Sequence, residues 1–257
     1  MSRNFELLQK IGKEQDFFSQ VDAPVVAVEQ PEIAAVEAPT EPVTPSLQMS
    51  TAEFEEITKL VQRVFVLPGP EAPRSVVFTG TEAGNGSSWM CARAAEILAT
   101  QVRGSVCIVD ANLRDPGQHG IFGIANHHGL ADSLKNTEPI GHFVTSLRPN
   151  LYLMSCGSSS ENCQALTSSD RMRFRMTELR NSFDYVLIDT AAMSVGNDAV
   201  VLGTAADGVV LVLKANSSRR ESAKRALQEL QSAKARVLGA VLNQRTFPIP
   251  DSLYHKL

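Results

Sequence analysis

From Ser75 onward, short runs of apolar residues alternate with longer stretches of helical spacing. The runs are continuous rather than alternating, which is typical of strands buried on both faces of a parallel sheet. They lie at Ser75–Thr79, Val106–Val109, Leu151–Met154, Tyr185–Ile188, Val209–Leu213 and Val237–Leu242. Helices are predicted between them over Trp89–Gln101, Asp170–Arg180 and Ser218–Lys234, the last with a capping box of Ser218 and Glu221. The pattern predicts an α/β domain with a doubly wound, mostly parallel sheet and a ligand site at the carboxyl ends of the strands.

The chain before the first strand is predicted to divide into a helix, a linker and the start of the domain. Residues 1–20 place apolar side chains near one face of an amphipathic helix, which either packs on its own domain or docks elsewhere. Residues 21–49 are rich in Pro, Ala and Glu, and this composition predicts a disordered, semi-extended linker. The domain then covers residues 50–257. Its first helix begins with Ser50 and Glu53 in the spacing of a capping box.

Composition and charge narrow the class of protein. The chain has 257 residues, 43% of them hydrophobic and 20% charged, with a formal net charge of −4. These values favour one soluble globular domain with a tail, and the mild acidity argues against a nucleic-acid partner. The sequence has neither an uninterrupted apolar stretch of membrane-spanning length nor the apolar core of a signal peptide, so we expect a cytoplasmic protein. The four cysteines have no zinc-like spacing, which is typical of reduced thiols.

A glycine-rich loop follows the first predicted strand, in the stretch SVVFTGTEAGNGSSW from Ser75 to Trp89. Strand, glycine loop and helix is the order in which many proteins bind phosphate, because main-chain N–H groups and the helix N-terminus converge on the anion. The P-loop pattern requires a lysine after its last glycine, followed by Ser or Thr. Here Gly86 is followed by Ser87 and Ser88. The sequence therefore predicts a phosphate cradle that lacks the lysine.

Two of the later predicted strands end in aspartate. Asp110 ends the second strand in SVCIVDANLRDP, and Asp189 ends the fourth in FDYVLIDT. An aspartate at the carboxyl end of a buried strand beside a phosphate loop is where magnesium is held, directly or through water. Each aspartate alone is a weak signal, since Asp is common in turns. The ordered set of glycine loop, Asp110 and Asp189 indicates a nucleotide site.

These motifs resemble those of the cytoplasmic domain of bacterial tyrosine kinases of capsule and exopolysaccharide synthesis. That family belongs to the P-loop ATPases, together with the cell-division-site and chromosome-partitioning ATPases. The resemblance spans Phe54 to Asn243 and is carried by TEAGNGSS, DANLRDPGQHGIF, NSFDYVLIDTAA and the stretch from DGVVLVLK to RVLGAVLNQ. The segments GLADSL and RVLGAVLN favour the polysaccharide kinases over the partitioning ATPases.

The resemblance implies a set of site residues and partners. ATP or ADP with Mg²⁺ is implied as the cofactor, Asp110 and Asp189 as catalytic residues, and Tyr254 as a phosphoacceptor. The implied metal site consists of Ser88, Asp110 and Asp189. The implied nucleotide-binding residues are Gly84, Asn85, Gly86, Ser87, Ser88, Trp89 and Asn243. The implied partner is a membrane-embedded polysaccharide co-polymerase or export protein on a separate chain, which would bring this cytoplasmic protein to the inner face of the membrane, and a homo-oligomer is also implied.

The departures from the family pattern cluster at the active site. Ser87 replaces the lysine, Asn112 the second aspartate of Asp-x-Asp, Trp89 a small hydroxyl residue, and Asn85 an acidic residue. Three functions stay open: a weakly active or inactive regulatory partner, an active ATP-dependent autokinase with a substitute cation such as Arg93 or Arg114, and a localisation or partitioning ATPase. The concentration of the losses at phosphate and metal positions favours the first.

Overall fold

The computed structural model describes residues 49–67, 69, 72–158 and 163–244. The predicted N-terminal helix, almost all of the linker and Tyr254 lie outside these residues, so the predictions made for them stay predictions. Among the described residues, no helix combines the length and apolar character needed to span a bilayer.

Strands and helices alternate through most of the described part. The strands are β1 Ser75–Gly80, β2 Val106–Asp110, β3 Thr145–Arg148, β4 Leu151–Met154, β5 Tyr185–Asp189, β6 Gly208–Lys214 and β7 Val237–Asn243. The helices are α1 Thr51–Val61, α2 Ser87–Gln101, α3 Gln118–Phe122, α4 Leu130–Ser133, α5 Cys163–Thr167, α6 Asp170–Ser182, α7 Asp198–Ala205 and α8 Arg220–Ser232. A π-helical turn, Gln62–Val66, continues α1, and a 3₁₀ turn, Ile140–Phe143, precedes β3.

The described strands form one sheet in the order β3-β4-β2-β5-β1-β6-β7. Every neighbouring pair is parallel except β3 and β4, which are antiparallel. The register pairs Phe78 of β1 with Asp189 of β5, and Asp189 in turn with Asp110 of β2. The carboxyl ends of β2, β5 and β1 therefore lie side by side at the centre of the sheet. The predicted doubly wound, mostly parallel architecture is confirmed.

Two apolar layers cover the faces of the sheet. Val76 and Phe78 of β1 point into the layer that α1 and α2 close, while Val77 between them points into the layer that α6, α7 and α8 close. All three side chains are fully buried. Burial on both faces explains why the strand sequences are continuous apolar runs without polar alternation.

Local signals for helix starts were right once and wrong once. The Ser50 hydroxyl accepts a hydrogen bond from the N–H of Glu53 (3.3 Å), and the Glu53 carboxylate accepts one from the N–H of Ser50 (2.9 Å), so the first capping box is confirmed. The box predicted at Ser218 does not form. The Ser218 hydroxyl instead accepts from the N–H of Lys214 (2.9 Å), and α8 begins two residues later without a side-chain cap. This bond closes a turn after β6 and competes with the cap.

Candidate functional site

The glycine loop joins β1 to α2 and depends on two glycines with left-handed backbone. Gly84 has φ of +79° and Gly86 has φ of +80°, values that other residues adopt only with strain. A Cβ atom on Gly86 would also collide with the side-chain amide of Asn243. The loop therefore requires glycine at the position that precedes α2.

Asn85 and Asn243 fix this loop to the neighbouring strands. The buried Asn85 side chain donates hydrogen bonds to the Thr81 hydroxyl (2.9 Å) and to the main-chain carbonyl of Val212 in β6 (3.1 Å). Asn243, at the end of β7, donates from its amide to the main-chain carbonyl of Asn85 (3.0 Å). The amide groups of both predicted nucleotide-binding residues are thus engaged in holding the loop.

The main-chain N–H groups of the loop remain available to a ligand. Within the described ranges, no protein acceptor takes a hydrogen bond from the N–H groups of Gly84, Gly86, Ser87 or Ser88. They lie at the start of the fifteen-residue helix α2, where the helix dipole is positive. The arrangement fits a phosphate group.

Asp110 is fully buried at the end of β2 and serves as an anchor for the next turn. Its carboxylate accepts hydrogen bonds from the main-chain N–H groups of Asn112 (3.2 Å), Gly117 (3.0 Å) and Gln118 (2.9 Å). Burial raises the pKa of Asp110 above its usual range, although these hydrogen bonds work in the opposite direction. The Asn112 side chain bonds to the main chain of Asp115 and closes the same turn.

Asp189 is fully buried beside Asp110, and Gln118 connects it to the loop. The Gln118 amide donates to Asp189 Oδ2 (2.8 Å) and to the main-chain carbonyl of Ser88 (2.9 Å). Burial raises the pKa of Asp189 and the negative charge of Asp110 raises it further, while hydrogen bonds from Gln118 and Ser88 lower it.

The donor set around Asp189 fits a divalent cation. Asp189 Oδ1 is buried and has no hydrogen-bond partner among the described residues. A hard cation such as Mg²⁺ prefers carboxylate and hydroxyl oxygens, which Asp189, Asp110 and Ser88 supply. Two buried carboxylates side by side also favour a cation, because it removes their repulsion.

Sequence reasoning missed Gln118. The residue lies in the same DANLRDPGQHGIF stretch as Asp110 and is fully buried. Its position eight residues after Asp110, in a turn that Asp110 itself anchors, is a signal that only the hydrogen bonds make visible. Gln118 thereby joins Ser88, Asp110 and Asp189 in one hydrogen-bonded cluster.

The two arginines considered as substitute cations are engaged elsewhere. Arg93 is buried and pairs with Glu96, which also pairs with Arg148 of the edge strand β3 (2.8 Å). Arg114 pairs with Asp198 at the start of α7 (3.3 Å). Each of the two guanidinium groups is therefore already paired with a carboxylate.

Trp89, which follows Ser88 in α2, packs against the apolar layer next to it. The half-buried Trp89 ring contacts the apolar layer between α1 and α2, and the Arg93 guanidinium lies over it at 5.5 Å from the ring centre. A cation over an indole face is attracted by the ring quadrupole. The ring thus supports the α1–α2 interface.

Comparisons with known proteins agree with this geometry. No protein-family model matches the chain. The tyrosine-protein kinase YwqD of Bacillus subtilis is 32% identical over 171 residues, which cover 66% of this chain and 72% of the relative. The crystal structure of the chimerical protein CapA2B2 superposes with a TM-score of 0.69 at 25% identity and covers 75% of this chain and 85% of that one. A ParA family ATPase from Chlorobium tepidum, with a TM-score of 0.55 at 21% identity over 67% of this chain and 75% of its own, shares the fold alone.

These similarities extend well beyond one motif. The Bacillus subtilis relative is matched over 72% of its own length, and CapA2B2 superposes on 75% of this chain. The resemblance predicted from the glycine loop and the strand-end aspartates is confirmed. The chain belongs to the family of bacterial tyrosine kinases.

Proposed function

We propose that this chain is a tyrosine-kinase-like nucleotide-binding protein of capsule or exopolysaccharide assembly, with weak or absent phosphotransfer. It acts as a regulatory partner of a membrane-embedded polysaccharide co-polymerase or export protein on a separate chain. The observation that carries the proposal is Ser87 in place of the loop lysine, with Arg93 and Arg114 already paired to carboxylates. The loop glycines Gly84 and Gly86, the hydroxyl residue Ser88 and the strand-end aspartates Asp110 and Asp189 are retained.

Nucleotide binding is supported by the free N–H groups of the loop and by the oxygen cluster behind it. The N–H groups of Gly84, Gly86, Ser87 and Ser88 would hold the phosphates of ATP or ADP. Ser88, Asp110 and Asp189 would hold Mg²⁺, which when bound neutralises charge on the phosphates. The Asn85 and Asn243 side chains contribute by keeping the loop in its binding shape.

Weak phosphotransfer follows from the missing charge. A lysine in this position makes charge-assisted hydrogen bonds to phosphate, each worth roughly 1.5–3 kcal/mol. Losing about 3 kcal/mol weakens nucleotide binding about 100-fold. Removing one preorganised donor from a transition state costs about 100- to 1000-fold in rate. Ser87 thus leaves binding measurable while it suppresses turnover.

An active autokinase is the alternative that the retained Ser88, Asp110 and Asp189 favour, with Tyr254 as the acceptor. Incubation of the full chain with ATP and Mg²⁺, followed by mass spectrometry of Tyr254, separates the two functions. We expect no phosphate on Tyr254. Phosphorylation that disappears in Asp110→Ala would contradict the proposal and support the autokinase.

A further inference from the structure

The Gln118 side chain joins the loop to the metal corner of the candidate site. Its amide nitrogen donates to the main-chain carbonyl of Ser88, near the start of α2, and to Oδ2 of Asp189. The residue is fully buried. One carboxamide thus holds together the start of α2 and the end of β5.

Gln118 is held in this place by its own main chain. Its N–H and that of Gly117 both donate to Oδ2 of Asp110 (2.9 and 3.0 Å) at the residue where α3 begins. Displacing the side chain would remove the Gln118 hydrogen bond from Asp189 Oδ2, and displacing the main chain would cost Asp110 two hydrogen bonds. The line Asp110, Gln118, Asp189 is therefore a continuous hydrogen-bonded support.

The two oxygens that this support leaves unused are informative. Asp189 Oδ2 is occupied by Gln118, whereas Asp189 Oδ1 and Gln118 Oε1 are buried without a partner among the described residues. Buried acceptors normally have a donor or a cation, because an unpaired one is costly. The support directs one face of the carboxylate to the protein and leaves the other for a ligand.

We infer that Gln118 is a positioning residue for the metal ion, which fixes Asp189 through Oδ2 so that Oδ1 is presented to the cation or its water. The inference rests on the proposed nucleotide and Mg²⁺ binding and adds to it a residue with no assigned role. Supporting groups of this kind typically change metal affinity 10- to 100-fold when they are removed. The Gln118 side chain bonds to the Ser88 carbonyl and leaves the loop N–H groups that would bind phosphate free.

The test compares Gln118→Met with Asn150→Leu in the full chain. Both changes replace a carboxamide by an apolar side chain of similar size. The side-chain amide of Asn150 donates to the main-chain carbonyls of Ala99 (2.7 Å) and Val102 (3.3 Å). Its main-chain carbonyl accepts from the N–H of Val106 at the start of β2, so Asn150 lies at the end of the sheet opposite to the candidate site. A general loss of packing or hydrogen bonding affects both variants, whereas a metal-positioning role affects Gln118→Met alone.

Two affinities are measured for each protein. Isothermal titration with ADP in the presence of EDTA gives metal-free binding, and Mn²⁺ titration of the ADP complex, followed by electron paramagnetic resonance, gives metal binding. We expect Gln118→Met to lower Mn²⁺ affinity about 10- to 100-fold with ADP affinity unchanged, and Asn150→Leu to change neither. Equal Mn²⁺ affinity in wild type and Gln118→Met would overturn the inference, as would a parallel loss of ADP and Mn²⁺ binding.

A second variant and a second background cover the cases in which Gln118→Met does not fold or the wild type does not bind ADP. If Gln118→Met does not fold, Gln118→Asn retains a carboxamide on a shorter stem and is expected to lower Mn²⁺ affinity by a smaller factor; an unchanged affinity counts against the inference. If the wild type does not bind ADP, the comparison is repeated in the Ser87→Lys background. If ADP binds only in the Ser87→Lys background, nucleotide binding by the natural chain is contradicted, but the role of Gln118 is still tested. If ADP binds in neither background, both the proposed nucleotide binding and the role of Gln118 are contradicted.

Discussion

The substitution Asn85→Asp tests how the glycine loop is held. Asn85 is 3% exposed, and its amide nitrogen donates to both the Thr81 hydroxyl and the Val212 carbonyl. Aspartate has nearly the same shape but brings an acceptor to the position of that donor. The Thr81 hydroxyl can turn and donate to the new carboxylate, but the Val212 carbonyl would face a second oxygen. One hydrogen bond is therefore replaced and the other becomes a repulsive contact.

The expected cost can be worked from these contacts. A typical hydrogen bond contributes about 1 kcal/mol net, and a buried polar group that loses its partner costs about 1–3 kcal/mol. Burying the new charge adds to this cost, so the free energy of unfolding should fall by about 2–4 kcal/mol. At about 2–4 °C per kcal/mol for a domain of this size, the melting temperature should fall by roughly 4–16 °C.

Thermal unfolding followed by circular dichroism measures the effect, and Asn126→Asp is the matched control. Asn126 is half-buried and uses its oxygen to accept from the N–H of Gly157 (2.8 Å), which an aspartate does equally well. We expect the control to stay within about 0.5 kcal/mol of the wild type. If Asn85→Asp and Asn126→Asp have the same melting temperature, the loop is not held by the Asn85 amide and the explanation of the loop's shape is wrong.

Two further predictions concern the loop and the base of the sheet. Gly86→Ala should abolish nucleotide binding and cost about 1–3 kcal/mol of stability, because its Cβ would collide with Asn243 at a φ of +80°; titration calorimetry and thermal melts check both. Asp207→Asn should cost about 1 kcal/mol at pH 7 and progressively less as the pH is lowered below about 4, measured by urea unfolding. Burial tends to raise the pKa of Asp207, but hydrogen bonds from the N–H groups of Ser75 and Arg74 and the charge of Arg180 outweigh it and hold the pKa below its usual value. Because the folded pKa lies below the unfolded value of about 3.9, this stabilisation is present above that value and is lost as the pH falls through the folded pKa.

Each of these predictions has a control in the same chain. Gly120→Ala adds a methyl group in α3 where no atom lies within 4 Å, so binding should be retained and stability should not fall. If Gly86→Ala and Gly120→Ala lost nucleotide binding and stability to the same extent, the collision with Asn243 could not be the cause. A cost of Asp207→Asn that persists unchanged at pH 2 would contradict the role given to the Asp207 charge.

Most of the sheet could be predicted because burial on both faces leaves a strong trace in the sequence. The run VVLVL of β6 and the run YVLI of β5 have no polar interruption, and each predicted strand was found with ends extended by no more than one residue. Strand β3 was missed, since Thr145–Arg148 is a polar edge strand with a single buried side chain. Helix α7 was missed because its sequence, DAVVLGTA, is largely apolar and shows no helical period.

The sequence predicts where the residues of the candidate site lie better than it predicts the hydrogen bonds between them. The loop glycines, Asp110 and Asp189 follow from the order of strands, since the carboxyl ends of parallel strands meet at one edge of the sheet. The way Asn85 and Asn243 hold the loop, and the link through Gln118, depend on side-chain hydrogen bonds. Most of these bonds join residues 30 to 158 positions apart, and no local sequence pattern records them. The pairing of Arg114 with Asp198, 84 positions away, is of the same kind, whereas Arg93 and Glu96 are an i,i+3 pair within α2 that helical spacing alone makes possible.

Binding of Mg²⁺ and ATP by the wild type and by Ser87→Lys, compared by isothermal titration, tests the central claim most directly. The claim is that the chain retains a formed phosphate cradle that lacks one positive charge. It predicts measurable binding by the wild type and binding about 100-fold tighter by Ser87→Lys, which corresponds to about 3 kcal/mol. Equal affinities would contradict it, because they would mean that another group already supplies the missing charge or that the loop does not hold phosphate.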